Sequence, residues 1–115
     1  MAIVVASGQS VSVGANSKSA DLVTGRNQYV GKGRLQLFAK SQTAAATGIL
    51  LTLNCGGVAL VDDQRLPYSG TAGTLSTNDN SVLDQVVAGG RVEFFIRNDS
   101  AGALTTDYLI TFTPM

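Results

Sequence analysis

The fold is decided by two stretches near the end of the chain, GGRVEFFIRNDS at residues 89–100 and DYLITFTP at residues 107–114. Apolar side chains take every second position in both: Val92, Phe94 and Ile96 in the first, and Tyr108, Ile110 and Phe112 in the second. This period of two is typical of a β-strand with one face on a core. A short polar segment separates the two stretches, so they predict two long strands that bracket a β-sandwich.

The same alternation recurs earlier in the chain. It places Leu35, Leu37 and Ala39 on one face of the first such segment, and Ile49, Leu51 and Leu53 on one face of the next. Residues 54–57 then turn the chain into residues 58–61, and glycine supplies the positive φ that the loop of a hairpin needs. At the beginning of the chain, residues 3–5 and 9–13 predict two short strands, separated by Ser7 and Gly8.

The remaining segments are less regular. Residues 22–24, 28–30 and 71–75 are candidates for short strands between glycine-rich turns. Residues 81–87 allow two interpretations: an extended segment that enters a turn, or a short helix, since Ser81 and Asp84 mimic a capping box. Valine is a middling helix former, which favours the extended interpretation. We therefore expect an all-β fold, a single jelly-roll-like β-sandwich of about eight strands in one domain over residues 1–115.

The composition argues against an enzyme. The 115 residues contain no histidine, no tryptophan, one cysteine (Cys55) and one glutamate (Glu93). Without histidine there is no Ser-His-Asp triad, no Cys-His pair and no histidine-based zinc site. Eight Lys and Arg balance eight Asp and Glu, so no basic field attracts nucleic acid or an anionic membrane. We expect no cofactor and no metal ion.

Three features of the sequence that could carry chemistry are better explained by structural roles. Residues 25–33 resemble a phosphate-binding loop, but the spacing of the glycines is wrong, so the sequence favours a loop that leads into a strand. Asp62 and Asp63 would need residues 78–80 to make a calcium site, and a turn at the end of a strand explains them better. Cys55, between Leu53 and the glycines, is expected to be a small buried or turn-edge residue.

Membrane insertion and secretion are not expected either. The longest strongly apolar run, residues 48–53, is far shorter than the ~20 residues of a membrane helix. The apolar beginning of the chain has no preceding basic residues, so we expect synthesis in the cytoplasm rather than export by a signal peptide.

The alternation also leaves apolar side chains on the wrong side of their strands. Phe38, Phe95 and Leu109 oppose the core-facing positions, so something must cover them: a second core layer, or a subunit interface with arginines at its border. An apolar strand at the start of the chain is a second candidate, because an edge strand can extend a neighbour's sheet. The predicted interface residues are Ile3, Val4, Val5, Phe38, Arg91, Phe95, Arg97 and Leu109.

The two closing strands, with the apolar first strand ahead of Ser7, Gly8 and Gln9, carry a family resemblance. The chain resembles the small all-β decoration (cement) proteins of tailed-phage heads and, less closely, the single jelly-roll penton proteins of tailless phages. The first family implies a non-enzymatic protein on the capsid surface of the virion, a dimer or trimer that binds the major capsid protein. The second implies a penton-type or small major capsid protein that builds the shell itself.

A rival interpretation belongs to another class. A carbohydrate-binding β-sandwich would need aromatic side chains that stack on sugar rings, and the only tyrosines are Tyr29, Tyr68 and Tyr108. The sequence therefore favours the capsid interpretation, with the sugar-binding module as the alternative.

Overall fold

A computed structural model describes residues 3–24, 28–41, 48–66, 81–99, 102 and 104–115. Within them the chain forms strands and no α-helix. The strands are β1 (Ile3–Val13), β2 (Ser17–Lys18), β3 (Tyr29–Val30), β4 (Gly33–Ser41), β5 (Ile49–Cys55), β6 (Val58–Arg65), β7 (Ser81–Val87), β8 (Gly90–Asn98) and β9 (Leu104–Pro114).

These strands form two antiparallel sheets. The order is β1-β9-β4-β7 in sheet A and β2-β8-β5-β6 in sheet B, with β3 also paired to β8. The pairs β1–β9, β2/β3–β8, β4–β7 and β5–β6 are nested along the sequence. The chain is therefore one long antiparallel ribbon that bends at the β5–β6 hairpin and rolls up, which is the jelly roll. This confirms the expected all-β jelly-roll sandwich.

Between the sheets lies the predicted core. Fully buried side chains come from the alternating positions on both sides: Leu35, Leu37 and Ile110 from sheet A, and Leu51, Leu53, Val92, Phe94 and Ile96 from sheet B. The rings of Phe94 and Tyr108 meet across the sandwich, with centroids 5.0 Å apart. The period of two in the sequence thus predicted which side chains face inward.

The β5–β6 hairpin confirms the predicted turn. Gly56 and Gly57 form a two-residue loop with φ of +60° and +82°, the values of a type I′ turn. Gly56 also packs on β8: its N–H donates to the carbonyl of Arg91 (3.0 Å), and a Cβ on it would lie 2.7 Å from the Gly89 oxygen. Glycine is needed at position 56 for space as well as for its backbone conformation.

At the start of the chain the prediction of two short strands was wrong. Residues 3–13 form the single strand β1, and its pairing with β9 is interrupted by register shifts between Val4 and Ala6 and between Gly8 and Val11. Gly8 lies over Tyr108, where a Cβ would be 2.5 Å from the ring. The glycine that suggested a break is instead the position where a bulged strand crosses a core aromatic.

Two further expectations needed correction. Residues 81–87 are strand β7, so the helical interpretation was wrong and the extended one is confirmed. Residues 22–24 form no strand, and of residues 28–30 only Tyr29 and Val30 pair with β8. The candidate strand at residues 71–75 lies outside the described residues.

Between β2 and β3 the chain follows β8 but replaces part of the backbone ladder with side chains. Ser19 N–H donates to Ile96 O, and Ile96 N–H donates back to the Ser19 hydroxyl (3.0 Å). Leu22 N–H donates to Phe94 O, and Phe94 N–H donates to Asp21 Oδ1 (3.2 Å). These side-chain acceptors satisfy amides of β8 that an interrupted neighbouring strand would otherwise leave unpaired.

Candidate interaction surface

One end of the sandwich collects three short turns and the outer ends of several strands. The turns join β3 to β4, β5 to β6 and β7 to β8, and Gly89 approaches both Gly56 and the backbone of Val30 and Gly31. β4 begins here at Gly33, which pairs with Val87 and Pro114 where β7 and β9 end. We call this end of the molecule the apolar end, because the exposed side chains of Ile3, Val4, Tyr29, Val58, Val86 and Met115 lie near it.

The exposed large apolar side chains of the described residues are concentrated there. Tyr29 is 69% exposed and Val4 51% exposed. The full set is Ile3, Val4, Tyr29, Val58, Val86 and Met115, each within a few residues of these turns or of the neighbouring strand ends. Their concentration at one end of the molecule makes that end a candidate binding surface.

A groove runs into the apolar end between the two sheets. Its volume is about 270 Å³, and it is lined by Ile3, Val5, Tyr29, Val30, Gly31, Lys32, Phe112 and Pro114. Ile3 lies opposite Phe112 in sheet A, whereas Tyr29 and Val30 belong to the strand that pairs with β8 in the other layer. The groove is therefore framed by both sheets, and its walls are mainly apolar.

Of the residues predicted from the first strand, two are accessible and one is not. Ile3 and Val4 are exposed on β1, an edge strand of sheet A, as an interface there requires. Val5 is 6% exposed and belongs to the core cluster, although its surface also reaches the groove.

Two of the predicted interface residues, Phe38 and Leu109, lie on the outer face of sheet A. The two residues are cross-strand partners on β4 and β9. Phe38 is only 5% exposed, and the next pair along these strands, Lys40 and Asp107, is buried as well. The single chain covers this part of the face itself, which corresponds to the second core layer and leaves Phe38 little area for a partner.

Phe95 lies on the outer face of sheet B, the opposite side of the molecule from Leu109. It is half-buried, and the ammonium group of Lys18 stands 4.6 Å from the centre of its ring. This is a cation–π contact. The structure therefore does not bring Phe95 together with Phe38 and Leu109 into one patch.

The predicted arginines are engaged with carboxylates on these strand faces. Arg97 makes a bidentate contact with Asp63, from Nε to Oδ1 (3.0 Å) and from Nη2 to Oδ2 (2.8 Å). Hydrogen bonding to Arg97 lowers the pKa of Asp63, and the same contact raises the pKa of Arg97. Arg91 reaches Asp21 (3.2 Å) and Glu93 (3.5 Å).

On sheet A, Arg34 pairs with Asp84 of β7. Hydrogen bonding to Arg34 lowers the pKa of Asp84. Arg65 and Asp99 are also in contact, at 3.4 Å, so these charged side chains largely neutralise one another in pairs. Lys32, which lines the groove, is exposed.

The sequence predicted that Asp62 and Asp63 lie in a turn at the end of a strand, and this prediction was wrong. Both lie within β6, where the register with β5 shifts opposite Thr52 and Asp63 adopts a φ of +49°. The Asp63 N–H donates to the Thr52 hydroxyl (3.1 Å). The acidic pair therefore marks a β-bulge; residues 78–80 lie outside the described part of the chain.

Chemically reactive groups are scarce in what the structure describes. No group of three or more potential metal ligands occurs among the described residues. Cys55 is buried at the end of β5, as expected, and burial raises the pKa of its thiol, so the reactive thiolate is disfavoured. The described residues also contain no helix that is long and apolar enough to cross a membrane.

Sequence analysis missed the groove and the roles of Asp21 and Ser19. Tyr29 and Val30 lie far from Pro114 in the sequence and meet it only because β3 and β9 end at the same end of the sandwich. A signal for Asp21 was present, since aspartate two residues before Val23 can accept that residue's N–H, as it does here (3.0 Å).

We compared the chain with models of protein families, with curated proteins and with solved structures, and none of them matches it.

Proposed function

We propose that this chain is a non-enzymatic structural protein of a phage head, which decorates or cements the shell by binding major capsid subunits through its apolar end. The observation that carries the proposal is the concentration of exposed apolar side chains at one end of a jelly roll, a fold that viral capsid proteins use repeatedly. A patch of this kind around a groove suits a protein partner.

The electrostatic character of the molecule supports the same choice of partner. Net charge is zero, and the arginines of the two outer faces are paired with carboxylates. A protein that depended on nucleic acid would need unpaired basic groups. An apolar end on an otherwise neutral surface instead favours contact with another protein, where buried apolar area supplies the free energy at roughly 25 cal/mol per Å².

A shell-forming role, as in penton-type or small major capsid proteins, is the second candidate. The nested strand pairs favour it, because they give the complete jelly roll from which such shells are built. The sugar-binding alternative has less support: of the groove's lining, only Tyr29 offers an exposed ring for stacking. A glycan array with the purified protein tests that alternative.

The decisive experiment is reconstitution with the major capsid protein that the proposal expects to be encoded in the same genome as this chain. Heads assembled from that protein alone are mixed with the purified chain and sedimented, and bound chain is located by cryo-electron microscopy. We expect saturable binding to the outside of preformed heads. Particles that form from the chain alone would support the shell-forming role, and no association in either format would reject both capsid roles.

A further inference from the structure

The groove at the apolar end combines an apolar lining with a single charged side chain. Lys32, which is exposed, supplies that charge, and none of the described residues that line the groove is acidic. The groove also reaches the core, because Val5 and Phe112, at 6% and 5% exposure, belong to the core cluster and border it. A ligand in the groove would therefore meet core side chains on one side and an ammonium group on the other.

Lys32 differs from the other cationic side chains that the structure describes. Carboxylates pair with all four described arginines, Arg34, Arg65, Arg91 and Arg97. Lys18 lies over the ring of Phe95, and Lys40 is buried and engaged as well. Within the described part of the chain, the side chain of Lys32 alone among these cations makes no ion pair, hydrogen bond or ring contact. Its charge is available to a ligand.

We propose that the groove binds a segment of the partner protein in which a large apolar side chain has a carboxylate one or two residues away. The apolar side chain fills the groove, and the carboxylate accepts a charge-assisted hydrogen bond from the Lys32 ammonium group. This inference rests on the proposed function, because it names the chemistry by which the apolar end would recognise a capsid subunit.

The size of the site favours a protein segment over a free small molecule. The groove measures about 270 Å³, more than the ~150 Å³ that holds a benzene ring but less than the roughly 300–1,000 Å³ of ordinary small-molecule pockets. Exposed apolar side chains continue beyond it, at Val4 and at Met115, whose N–H donates to the Lys32 carbonyl (3.2 Å). A ligand confined to the groove would leave both in water, whereas a protein surface covers them.

The charge of Lys32 selects an acidic segment over a neutral or basic one. A partner that covers the groove removes water from the ammonium group, and this costs free energy unless an acceptor replaces the water. A carboxylate replaces it best, and a basic side chain would add a like charge. Because only one ion pair forms, the dependence of binding on salt stays shallow.

The first test uses the purified chain and synthetic peptides, so it does not require capsid protein. The probes are blocked hexapeptides with a central Phe and a Glu one or two residues after it, and matched peptides with Gln or Lys in place of Glu. Binding is followed by amide chemical shifts of the nitrogen-15-labelled protein. We expect shifts centred on Tyr29, Val30 and Phe112. For at least one spacing, the Glu peptide should bind about two- to fivefold tighter than the Gln peptide, and the Lys peptide should bind most weakly.

Reversal of the charge tests the pairing itself. In Lys32→Glu the order of the peptides should invert, so that the Lys peptide binds more tightly than the Glu peptide. Lys32→Gln should remove the difference between the Glu and Gln peptides. Lys18→Glu makes the same charge reversal on sheet B and should keep the wild-type order. Circular dichroism spectra confirm that each variant is folded; Lys32 is exposed and has no side-chain partner to lose, so we expect its variants to fold.

The inference is overturned if no peptide shifts the groove residues, if the Glu and Gln peptides bind equally, or if the preference for Glu survives Lys32→Glu. Sodium decanoate is titrated in parallel. Shifts at the groove with decanoate but with none of the peptides would assign the groove to a free anionic amphiphile and also overturn the inference.

Binding to heads is scored separately. Heads that bind the wild type and Lys32→Glu equally would count against this inference and leave the proposed function standing. A chain that shows the expected peptide preference but ignores heads would count against the capsid role alone.

Discussion

At the scale of single residues, the hydroxyls of two threonines in this sandwich have opposite surroundings. Thr106 on β9 is fully buried, and its Oγ1 is the one buried side-chain polar atom of the described residues without a hydrogen-bond partner. Thr52 on β5 is partly buried, and its Oγ1 accepts the N–H of Asp63 (3.1 Å). A buried polar group without a partner costs free energy, whereas a hydrogen-bonded one contributes to stability.

We therefore expect the same substitution to have opposite effects at these two positions. Thr106→Val removes an unsatisfied hydroxyl at nearly constant volume and should raise the free energy of unfolding, by on the order of 1 kcal/mol. Thr52→Val removes an acceptor and should lower it by about 0.5–1.5 kcal/mol. Urea unfolding of both variants measures the difference; destabilisation by Thr106→Val would mean that its hydroxyl has a partner in solution.

The carboxylate of Asp21 binds three groups of the surrounding structure. Its Oδ1 accepts the N–H groups of Val23 (3.0 Å) and Phe94 (3.2 Å), while Oδ2 faces Arg91 (3.2 Å). Asp21→Ala should lower the free energy of unfolding by about 1–3 kcal/mol, because two part-buried amides lose their acceptor. Asp21→Asn keeps an oxygen for both amides and loses only the charge, so it should cost clearly less.

Urea unfolding of the two Asp21 variants, with Asp62→Ala as an exposed control, separates these contributions. The control should stay within about 0.5 kcal/mol of the wild type. Equal losses for Asp21→Ala and Asp21→Asn would assign the effect to the ion pair with Arg91 rather than to the amides of the interrupted strand.

At the scale of elements, the residue preferences of the turn and the packing around it make different demands on the two glycines of the β5–β6 hairpin. A type I′ turn accepts asparagine at either central position, and Asn-Gly is its favoured pair. Gly56, however, contacts Gly89 and Gly90, whereas a Cβ on Gly57 would meet nothing within 4 Å. We expect Gly57→Asn to be nearly neutral and Gly56→Asn to lower the melting temperature strongly.

Because asparagine tolerates the positive φ of both sites, the comparison isolates the close contact between the hairpin and the β7–β8 turn. Thermal unfolding followed by circular dichroism is sufficient. Similar melting temperatures for the two variants would show that the hairpin can move away from β8 at little cost.

The bulge in β6 makes a pH-dependent contribution to stability. Contact with Arg97 holds the pKa of Asp63 below its ordinary value of about 3.9. A carboxylate with a depressed pKa stabilises the fold above its unfolded-state pKa, and that contribution disappears as the pH falls through the lower folded-state pKa. The contribution is small because both side chains are partly exposed to solvent, at 38% for Arg97 and 46% for Asp63, which screens the ion pair.

Asp63→Asn should therefore melt at a lower temperature than the wild type at pH 7, and the gap should close as the pH falls below about 4. Asparagine also accepts the left-handed backbone of this position, so the difference reports on charge. Asp62→Asn, next to it, is the matched control and should show no such gap. A gap that persists at low pH would assign the loss to neutral hydrogen bonds instead.

The elements that the sequence predicted well are those with an unbroken period of two. β4, β5, β8 and β9 carry apolar core-facing side chains at every second position, so these inward positions could be assigned from the alternation of the sequence, although β4 and β9 also bury residues between them. The sequence predicted two strands in place of β1, because a glycine such as Gly8 often interrupts a strand. In the structure, Gly8 instead lets the strand pass close over Tyr108. The segment from Ser19 to Asp21 had no strand pattern because its side chains, rather than its backbone, complete the ladder.

The candidate site was less predictable for a physical reason. Ile3 and Val4 were identified from local apolar sequence, and their exposure followed from the edge position of β1. Phe38 and Phe95 were assigned to the outside correctly by alternation, but alternation gives only the side of a strand. It does not tell whether the chain covers that side itself, as it does for Phe38, or which face of the molecule the sheet occupies, as for Phe95.

At the scale of the whole molecule, the two candidate surfaces face different directions. The apolar end joins the tips of both sheets, whereas Phe95 lies on the outer face of sheet B beneath Lys18. Tyr29, at 69% exposure, has the most ring area to offer a partner, and large aromatic side chains often dominate interface energetics. The contact with the capsid should therefore depend on Tyr29 and Ile3 more than on Phe95.

The final prediction compares three variants in the head-binding assay. Tyr29→Asp and Ile3→Asp should each weaken binding by about tenfold or more, because each places a charge in an apolar contact. Phe95→Asp, which adds the same charge on the other surface, should bind like the wild type, and all affinities should change little with salt because no net charge steers the encounter. Circular dichroism and melting curves must first show that each variant is folded. Loss of binding with Phe95→Asp alone would move the contact to sheet B, and steep salt dependence would mean that paired charges such as Arg97 and Asp63 open to meet the partner.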